Sequence, residues 1–201
     1  MPANQLHAAL GARFTRRDGW EIPAAYGPLE DERAAIREGV AIADVTPRGK
    51  IDLRGRVDEM LGRMTSDADV RVAQVSAQWA LLFTRPGALA RWLPLAEEAA
   101  GSSGMATDAT SIYSGIALLG PKTSEVLERL TAMDVSSVSR GGATGLRLAG
   151  IPAILTVGER ATEVYAGSEY GRYLWRTVAQ VATQLGGRAV GWDALTAEGW
   201  S

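Results

Sequence analysis

Cysteine is absent from this chain of 201 residues, and histidine occurs once, as His7. Without cysteine the protein forms no disulfide and offers neither a thiolate nucleophile nor a thiolate ligand for a metal. A single histidine excludes a metal site built from two histidines and weakens any catalytic triad that needs an imidazole base. Carboxylates and aromatic rings are the residue types left to carry chemistry.

Other absences exclude further classes of protein. The net charge is −2, and the arginines are scattered among acids, so the sequence has no basic patch typical of nucleic-acid binding. No apolar run approaches the roughly 18 residues that span a bilayer. The phosphate-binding patterns GxxxxGK[ST] and GxGxxG are missing. The first residues lack the apolar core of a signal peptide, which predicts a cytoplasmic protein.

What the chain does contain is a repeat. The segment that begins near Ile42 is echoed by the segment that begins near Ala106, at an offset of 64 to 66 residues. The equivalent pairs include Asp44 and Asp108, Thr46 and Thr110, Gly55 and Gly120, and Leu61 and Leu127. Two copies of this length are too few and too long for a solenoid. They predict two homologous halves packed about a pseudo-twofold axis, an arrangement that commonly leaves a cleft.

The predicted organisation is a single α+β domain, 1–201, because strands and helices interleave and antiparallel pairs occur within each half. An N-terminal arm covers 1–39, the first half about 40–100 and the second about 106–190. The stretch 99–106 is predicted to be a linker between the halves.

Each half is predicted to contain a strand, a helix, further strands and a closing helix. The expected strands are 50–53, 73–76 and 79–84 in the first half, and 112–118, 145–148, 152–157 and 162–166 in the second. The expected helices are 4–12, 29–38, 57–64, 87–99, 123–133 and 168–185, with 13–27 as a loop. Pro94 is expected to kink or shorten its helix.

Three carboxylates are candidates for a site. Asp44 and Asp108 each stand two residues before a threonine. They either face each other across the cleft or, as the favoured alternative, cap a turn by accepting a backbone N–H two residues on. Glu163 lies in the middle of an alternating strand. It is expected either on the solvated face, the favoured alternative, or in a pocket that holds the N–H groups of a ligand.

Aromatic residues offer a second set of candidates. Trp79, Trp92, Trp175 and Trp192 are interpreted as core or interface anchors rather than a stacking platform. Tyr26, Trp20 and Tyr113 could flank a planar ligand, although spacing alone does not show it.

The segment 6–55, with its "GWEIPAAY" loop, its "EDERAAIRE" helix and "ADVTPRGKIDLRG", resembles the opening of the glycine cleavage T-protein, an aminomethyltransferase family. "IALLGPKTSEVLERL" (116–130) resembles a second signature of that family. The resemblance implies the folate-binding fold and tetrahydrofolate as a possible cofactor, with no metal. It also implies that Glu163 aligns with a glutamate that contacts the pterin. The candidate cofactor-binding residues are therefore Glu163, Tyr26, Asp44, Asp108 and Tyr113.

The departures from the family imply a loss of activity. The family's hairpin with the essential aspartate has no counterpart around 74–79, the tyrosine and glycines before the pterin glutamate are replaced in 155–161, and the C-terminal barrel domain is absent. No catalytic residue is therefore assigned. In length, the chain looks more like the gamma subunit of sarcosine oxidase.

The sequence thus favours a non-catalytic subunit or pseudoenzyme that docks on flavoprotein subunits of a sarcosine-oxidase or N-methyl-amine dehydrogenase type of complex, or forms a homo-oligomer. The alternative is a minimal tetrahydrofolate-dependent aminomethyl- or methyltransferase, or a folate-binding regulator.

Overall fold

The computed structural model describes residues 1–64 and 70–200. Its helices are α1 (Asn4–Ala9), α2 (Leu29–Glu38), α3 (Val57–Gly62), α4 (Leu89–Ala100), α5 (Thr123–Glu128), α6 (Gly171–Gln184) and α7 (Trp192–Ala197). Its strands are β1 (Arg13–Arg17), β2 (Trp20–Ala25), β3 (Ala41–Asp44), β4 (Lys50–Gly55), β5 (Val70–Ser76), β6 (Trp79–Thr84), β7 (Gly104–Asp108), β8 (Tyr113–Leu119), β9 (Ala143–Leu148), β10 (Ile151–Val157), β11 (Thr162–Gly167) and β12 (Arg188–Ala189). Within the described ranges no helix is long and apolar enough to cross a membrane.

The strands form one hairpin, β1–β2, and two larger sheets, which confirms the α+β class. The four-stranded sheet has the order β5-β6-β4-β7, and the six-stranded sheet has the order β12-β3-β8-β11-β10-β9. Read in the opposite direction, the four-stranded order is β7-β4-β6-β5. It corresponds strand for strand to β3-β8-β11-β10 in the six-stranded sheet. This is the arrangement expected of a repeated segment, and β9 and β12 are additions to the second sheet.

Each repeat gives its first strand to the sheet of the other. β3 pairs antiparallel with β8, and β7 pairs antiparallel with β4. The division into halves at about 40–100 and 106–190 stays a prediction, but the exchanged strands interleave the two repeats at their junction. Because Asp44 and Asp108 end the exchanged strands, the two repeated turns both lie where the sheets meet.

The two sheets face each other, and the helices cover their outer faces. Alternate residues of β8 show this most simply, because Ala117 and Leu119 belong to the core between the sheets, whereas Ile116 and Leu118 pack with α6. The outer face of the four-stranded sheet packs on α3 and α4 through Met60. Burial on both faces accounts for the nearly continuous apolar character of β6 and β8.

The arm contains a hairpin where the sequence predicted a loop. β1 and β2 pair antiparallel around Asp18 and Gly19, whose φ angles are 50° and 79°. A two-residue turn with both φ angles positive is typical of a type I′ hairpin, for which Asp-Gly is a preferred sequence. The prediction of a loop at 13–27 was therefore wrong, and the dipeptide itself was the overlooked signal.

The predicted linker at 99–106 was also wrong. Helix α4 continues to Ala100 and β7 begins at Gly104, so three residues make the connection. The helix is continuous through Pro94 and is not shortened there. The helix expected at 123–133 ends at Glu128, and the helix expected at 4–12 ends at Ala9.

Gly115 on β8 tests how tightly the sheets pack. A Cβ at this position would lie 2.4 Å from Cε1 of Tyr165, whose ring is fixed by stacking on Phe83 at 4.5 Å. We expect Gly115→Ala to lower the free energy of unfolding by about 2 kcal/mol in urea denaturation, because overpacked cores must shift. At Gly145 on β9, a Cβ would meet only Val75, at 3.9 Å. The control Gly145→Ala should change stability by less than about 0.5 kcal/mol, and equal effects of the two substitutions would contradict this account of the packing.

Candidate functional site

Glu163 lies on β11 between the two sheets and is fully buried. Its Oε1 accepts hydrogen bonds from Nη1 of Arg48 and from Nε1 of Trp200, each at 3.1 Å. Its Oε2 accepts a hydrogen bond from the hydroxyl of Tyr165 at 2.5 Å and another from Nη2 of Arg71. The favoured prediction that Glu163 lies on the solvated face was therefore wrong. The carboxylate points inward, and its partners are side chains of the protein itself.

The four donors come from separate parts of the fold. Arg48 lies in the turn between β3 and β4, Arg71 on β5, Tyr165 on β11, and Trp200 after α7. The guanidinium of Arg71 also donates to Oγ1 of Thr156 at 3.1 Å. Glu163 therefore joins the four-stranded sheet, the six-stranded sheet and the segment that follows the last helix.

The charges around Glu163 favour its ionised form. Burial alone would raise the pKa of Glu163, but the guanidinium groups of Arg48 and Arg71, with the hydrogen bond from Tyr165, hold the pKa below its ordinary value. Burial and the charge of Glu163 raise the pKa of Tyr165 well above its ordinary value, so the phenol keeps its proton and acts as a donor. The result is one carboxylate paired with two guanidinium groups in a closed interior.

Removing the charge of Glu163 should therefore destabilise the fold. In Glu163→Gln, the guanidinium of Arg48 would remain buried, and that of Arg71 half-buried, without a counter-ion, and we expect the free energy of unfolding to fall by roughly 3–5 kcal/mol. The matched control is Glu159→Gln, because Glu159 is 79% exposed and pairs with Arg140 at 3.3 Å on the surface. The control should change stability by less than about 0.5 kcal/mol. Similar losses in the two variants, measured by urea denaturation, would contradict this interpretation.

Lys50, the first residue of β4, forms a second buried charge. Its Nζ donates to the backbone carbonyls of Thr46, Arg48 and Thr110 at 2.7, 2.9 and 3.1 Å, so all three ammonium donors are used. Thr46 and Thr110 belong to the two repeated turns. Lys50 therefore ties the repeats together at their junction, a role that the sequence analysis missed.

The pKa of Lys50 gives a test in solution. Burial is the largest influence and lowers this pKa to about 7 from 10.5. The chain has two lysines, Lys50 and Lys122. Nuclear magnetic resonance of protein labelled with ¹³C at lysine Cε should therefore show two lysine signals. The signal that disappears in the Lys122→Arg variant belongs to Lys122, and the other belongs to Lys50. We expect the Lys50 signal to titrate near pH 7.

The same shift predicts how stability depends on pH. The unfolded chain, with the higher lysine pKa, binds more protons between about pH 7 and 10, so this group makes the free energy of unfolding rise with pH across that range. A Lys50 signal that stays unchanged up to pH 9 would contradict both expectations.

Asp44 and Asp108 both cap their own turns. Oδ1 of Asp44 accepts the backbone N–H of Thr46 at 2.9 Å, and Oδ1 of Asp108 accepts that of Thr110 at 2.8 Å. This is the favoured alternative of the sequence analysis. The two aspartates differ in burial, because Asp44 is 4% exposed whereas Asp108 is exposed to solvent. Their assignment to a cofactor stays a prediction.

Tyr26 and Asp44 meet through the single histidine. Nε2 of His7 lies 2.8 Å from Oδ2 of Asp44, and Nδ1 lies 2.7 Å from the hydroxyl of Tyr26. Burial, followed by the charges of Asp44 and Glu32, raises the pKa of Tyr26, so the phenol keeps its proton. The imidazole of His7 therefore bridges a phenol and a carboxylate. His7 packs edge-on against Trp175, at 4.4 Å between ring centroids.

Tyr113 lies apart from both clusters. It is half-buried at the start of β8 and, with Trp79, Tyr165 and Tyr170, lines a groove of about 660 Å³. Burial, followed by the charge of Asp52, raises the pKa of Tyr113. The five candidate residues thus fall in four places. Only Tyr26 and Asp44 are brought together.

The tryptophans are mostly core residues, as the sequence analysis favoured. Trp92, Trp175 and Trp192 are at most 4% exposed. Trp79 is half-buried at the groove, where its Nε1 donates to Asp52 at 2.9 Å. Within the two described ranges, no group of three or more histidine and carboxylate side chains could hold a metal ion.

The most consequential residues of the site were missed from the sequence. Arg48 and Arg71 lie 115 and 92 residues from Glu163 along the chain, so no local spacing relates them. Lys50 carried a weak signal, because a lone lysine begins an otherwise apolar run directly after a repeated turn. His7 carried a signal as the single histidine beside a helix, but nothing in its spacing pointed to Asp44.

The two-sheet α+β fold, with its repeated strand order, is the type that the resemblance to the T-protein implies, and comparison with known proteins agrees. Residues 62–198 match the family model described as the GCVT N-terminal domain. This is more than half of the chain, so the chain belongs to that family. The aminomethyltransferase of Symbiobacterium thermophilum is 24% identical over 92% of this chain, and that of Saccharopolyspora erythraea is 25% identical over 94%. The chain spans 59% and 60% of the lengths of these two relatives.

Two solved structures share the fold. Aminomethyltransferase T of the glycine cleavage system from Bartonella henselae matches with a TM-score of 0.78 and 16% identity, covering 96% of this chain and 60% of that one. A chain of the heterotetrameric sarcosine oxidase from Corynebacterium sp. U-96 matches with a TM-score of 0.66 and 18% identity, covering 92% of this chain and 94% of that one. The predicted family and the predicted T-protein-like fold are thereby confirmed.

Proposed function

We propose that this chain is a non-catalytic, T-protein-like subunit of an amine-oxidising complex in one-carbon metabolism, of the sarcosine-oxidase or N-methyl-amine dehydrogenase type. The observation that carries the proposal is that both carboxylate oxygens of Glu163 already accept hydrogen bonds from side chains of the protein. Four donors of the protein already occupy the two oxygens of this carboxylate. Since a folate ring would need those acceptor positions for its own N–H groups, the arrangement as it stands does not fit tetrahydrofolate.

The connection between β5 and β6 supports the same proposal. Two residues, Ala77 and Gln78, separate the end of β5 at Ser76 from the start of β6 at Trp79. The resemblance to the T-protein places a longer hairpin with the essential aspartate at this point. The tight turn has no room for that hairpin.

The three candidate carboxylates, Asp44, Asp108 and Glu163, do not offer a replacement. Transfer of a one-carbon unit to folate needs a carboxylate beside the reacting atoms, in a pocket that excludes water and holds both partners in attack geometry. Asp44 is held by His7 and by its own turn, and Glu163 by two arginines. Asp108 is exposed to solvent. Catalysis by any of the three would first require breaking these contacts or excluding water.

The fold match to sarcosine oxidase supports a role as a subunit. The matching chain of that enzyme is covered over 94% of its length, with a TM-score of 0.66. The same fold therefore occurs in one component of a heterotetramer. The proposed partners are flavoprotein subunits that act on N-methylated amines, and the proposed location is the cytoplasm.

A second candidate function is a folate-binding regulator or a minimal folate-dependent transferase. The presence of Glu163 favours it, because this residue aligns with the pterin-contacting glutamate of the resembling family. One of its four partners, Trp200, lies after α7 and belongs to no strand, so its side chain could leave without breaking a strand pair.

Calorimetric titration separates the two candidates. We expect no heat of binding when tetrahydrofolate is titrated into the wild-type protein at micromolar concentrations, because no acceptor of Glu163 is open. A T-protein titrated under the same conditions serves as the positive control. Micromolar binding that Glu163→Ala abolishes would contradict the leading proposal and favour the regulator or transferase.

The subunit role has its own measurement. When the chain is co-expressed with flavoprotein subunits encoded beside it, we expect a stoichiometric complex in size-exclusion chromatography. Amine oxidation should depend on the complex, and the chain alone should form no one-carbon derivative of tetrahydrofolate. Turnover by the chain alone would overturn the proposal.

A further inference from the structure

Trp200 separates the buried Glu163 from an outer pocket. On the inner side, its Nε1 donates to Oε1 of Glu163 at 3.1 Å, and the guanidinium of Arg48 lies over its ring, 5.0 Å from the centroid. Its ring also meets Trp192 edge-on, at 5.4 Å between centroids. The side chain is 7% exposed, so it fills the space between the sheets and the surface.

The outer pocket lies on the other side of the same indole. It has a volume of about 330 Å³, and Arg17, Asp18, Arg85, Trp192 and Trp200 are among the residues that line it. Among these residues, Arg17 brings a guanidinium group to the mouth of the pocket, beside the carboxylate of Asp18. If the indole moved away, this pocket would become continuous with the carboxylate of Glu163.

We propose that Trp200 is an internal plug that occupies the binding site of a planar nitrogen heterocycle with an acidic tail. The ring of such a ligand would replace the indole, donate its N–H groups to Glu163 and stack on Arg48. Its carboxylate tail would extend into the outer pocket toward Arg17. This inference rests on the proposed function, because it explains why a folate-type scaffold holds no open acceptor.

The plug is attached by contacts that can be released without disturbing a sheet. Gly199, with a φ of 72°, reverses the chain after α7, and the backbone N–H of Trp200 bonds to the carbonyl of Leu195 at 3.0 Å. The carboxylate of Glu198 accepts hydrogen bonds from Arg33 at 2.7 Å and Arg37 at 2.8 Å. This clamp at the surface holds the segment that carries the indole.

The chemistry of the plug explains which variants would open the site. Trp200→Ala removes both the indole N–H and its volume, which frees one acceptor position on Glu163 and joins the outer pocket to it. Trp200→Phe removes the N–H but keeps an aromatic ring in place. The phenylalanine variant is therefore the matched control for volume.

Calorimetry with tetrahydrofolate tests the plug. We expect Trp200→Ala to bind tetrahydrofolate at least tenfold more tightly than the wild type, and Trp200→Phe to behave like the wild type. Adding Glu163→Gln to Trp200→Ala should remove the gain. Adding Arg17→Gln should weaken binding of tetrahydrofolate and leave binding of tetrahydropterin, which has no acidic tail, unchanged.

The calorimetric results distinguish the plug from the proposed function. Binding to Trp200→Ala alone supports the plug, and equal micromolar binding to the wild type overturns both the plug and the non-catalytic proposal. A folded Trp200→Ala protein, verified by circular dichroism, that binds no better than the wild type overturns the plug only. If this variant does not fold, Glu198→Gln decides instead. Loosening the clamp should raise the affinity severalfold, with Glu159→Gln as control, and an unchanged affinity would overturn the plug.

Discussion

The pairing of one buried carboxylate with two guanidinium groups, one of them buried and one half-buried, is the interaction on which the interior of this protein depends. Glu163 reaches Arg71 on the opposite sheet, Arg48 in a repeated turn and Trp200 beyond the last helix. Burying such charges is expensive, and an apolar replacement of the whole set would often be at least as stable. These ions also join the two sheets. Every donor meets an acceptor in one relative placement of the sheets, and the ions favour that placement.

Lys50 is a second buried polar group that joins separate parts of the fold, here at the junction of the repeats. Its ammonium group is hydrogen-bonded by carbonyls of both repeated turns, and Asp44 and Asp108 cap those turns. The repeat is thus closed at its centre by one lysine. Its counterpart in the second copy is Gly115, whose N–H bonds to Thr46 as the N–H of Lys50 bonds to Thr110. A pseudo-symmetric fold needs an asymmetric residue at such a point, since two ammonium groups could not share one set of carbonyls.

Local signals predicted the elements well, and long-range contacts decided the site. Helix α2 was predicted at its observed bounds, Leu29–Glu38, because Pro28 and Gly39 mark its ends. The repeat predicted matching strands in the two sheets. In contrast, the partners of Glu163 could not be inferred, since an alternating strand has the same pattern whether its polar residue faces water or an arginine from a distant strand. The family resemblance pointed to Glu163 but could not reveal what occupies it.

The hydrogen bonds of Glu163 also bear on two requirements of such a scaffold, which are open acceptors for a ligand and stability of the protein without that ligand. A scaffold that binds a ring must leave acceptors open between its sheets, and open buried acceptors destabilise the free protein. Here Arg71 and Tyr165 satisfy part of that need from within the sheets, Arg48 satisfies another part from the turn between β3 and β4, and Trp200 satisfies the rest from the segment that follows α7. Stability without ligand therefore requires only one removable side chain. The same segment, clamped by Arg33 and Arg37 through Glu198, is where a partner that binds the surface could alter the interior.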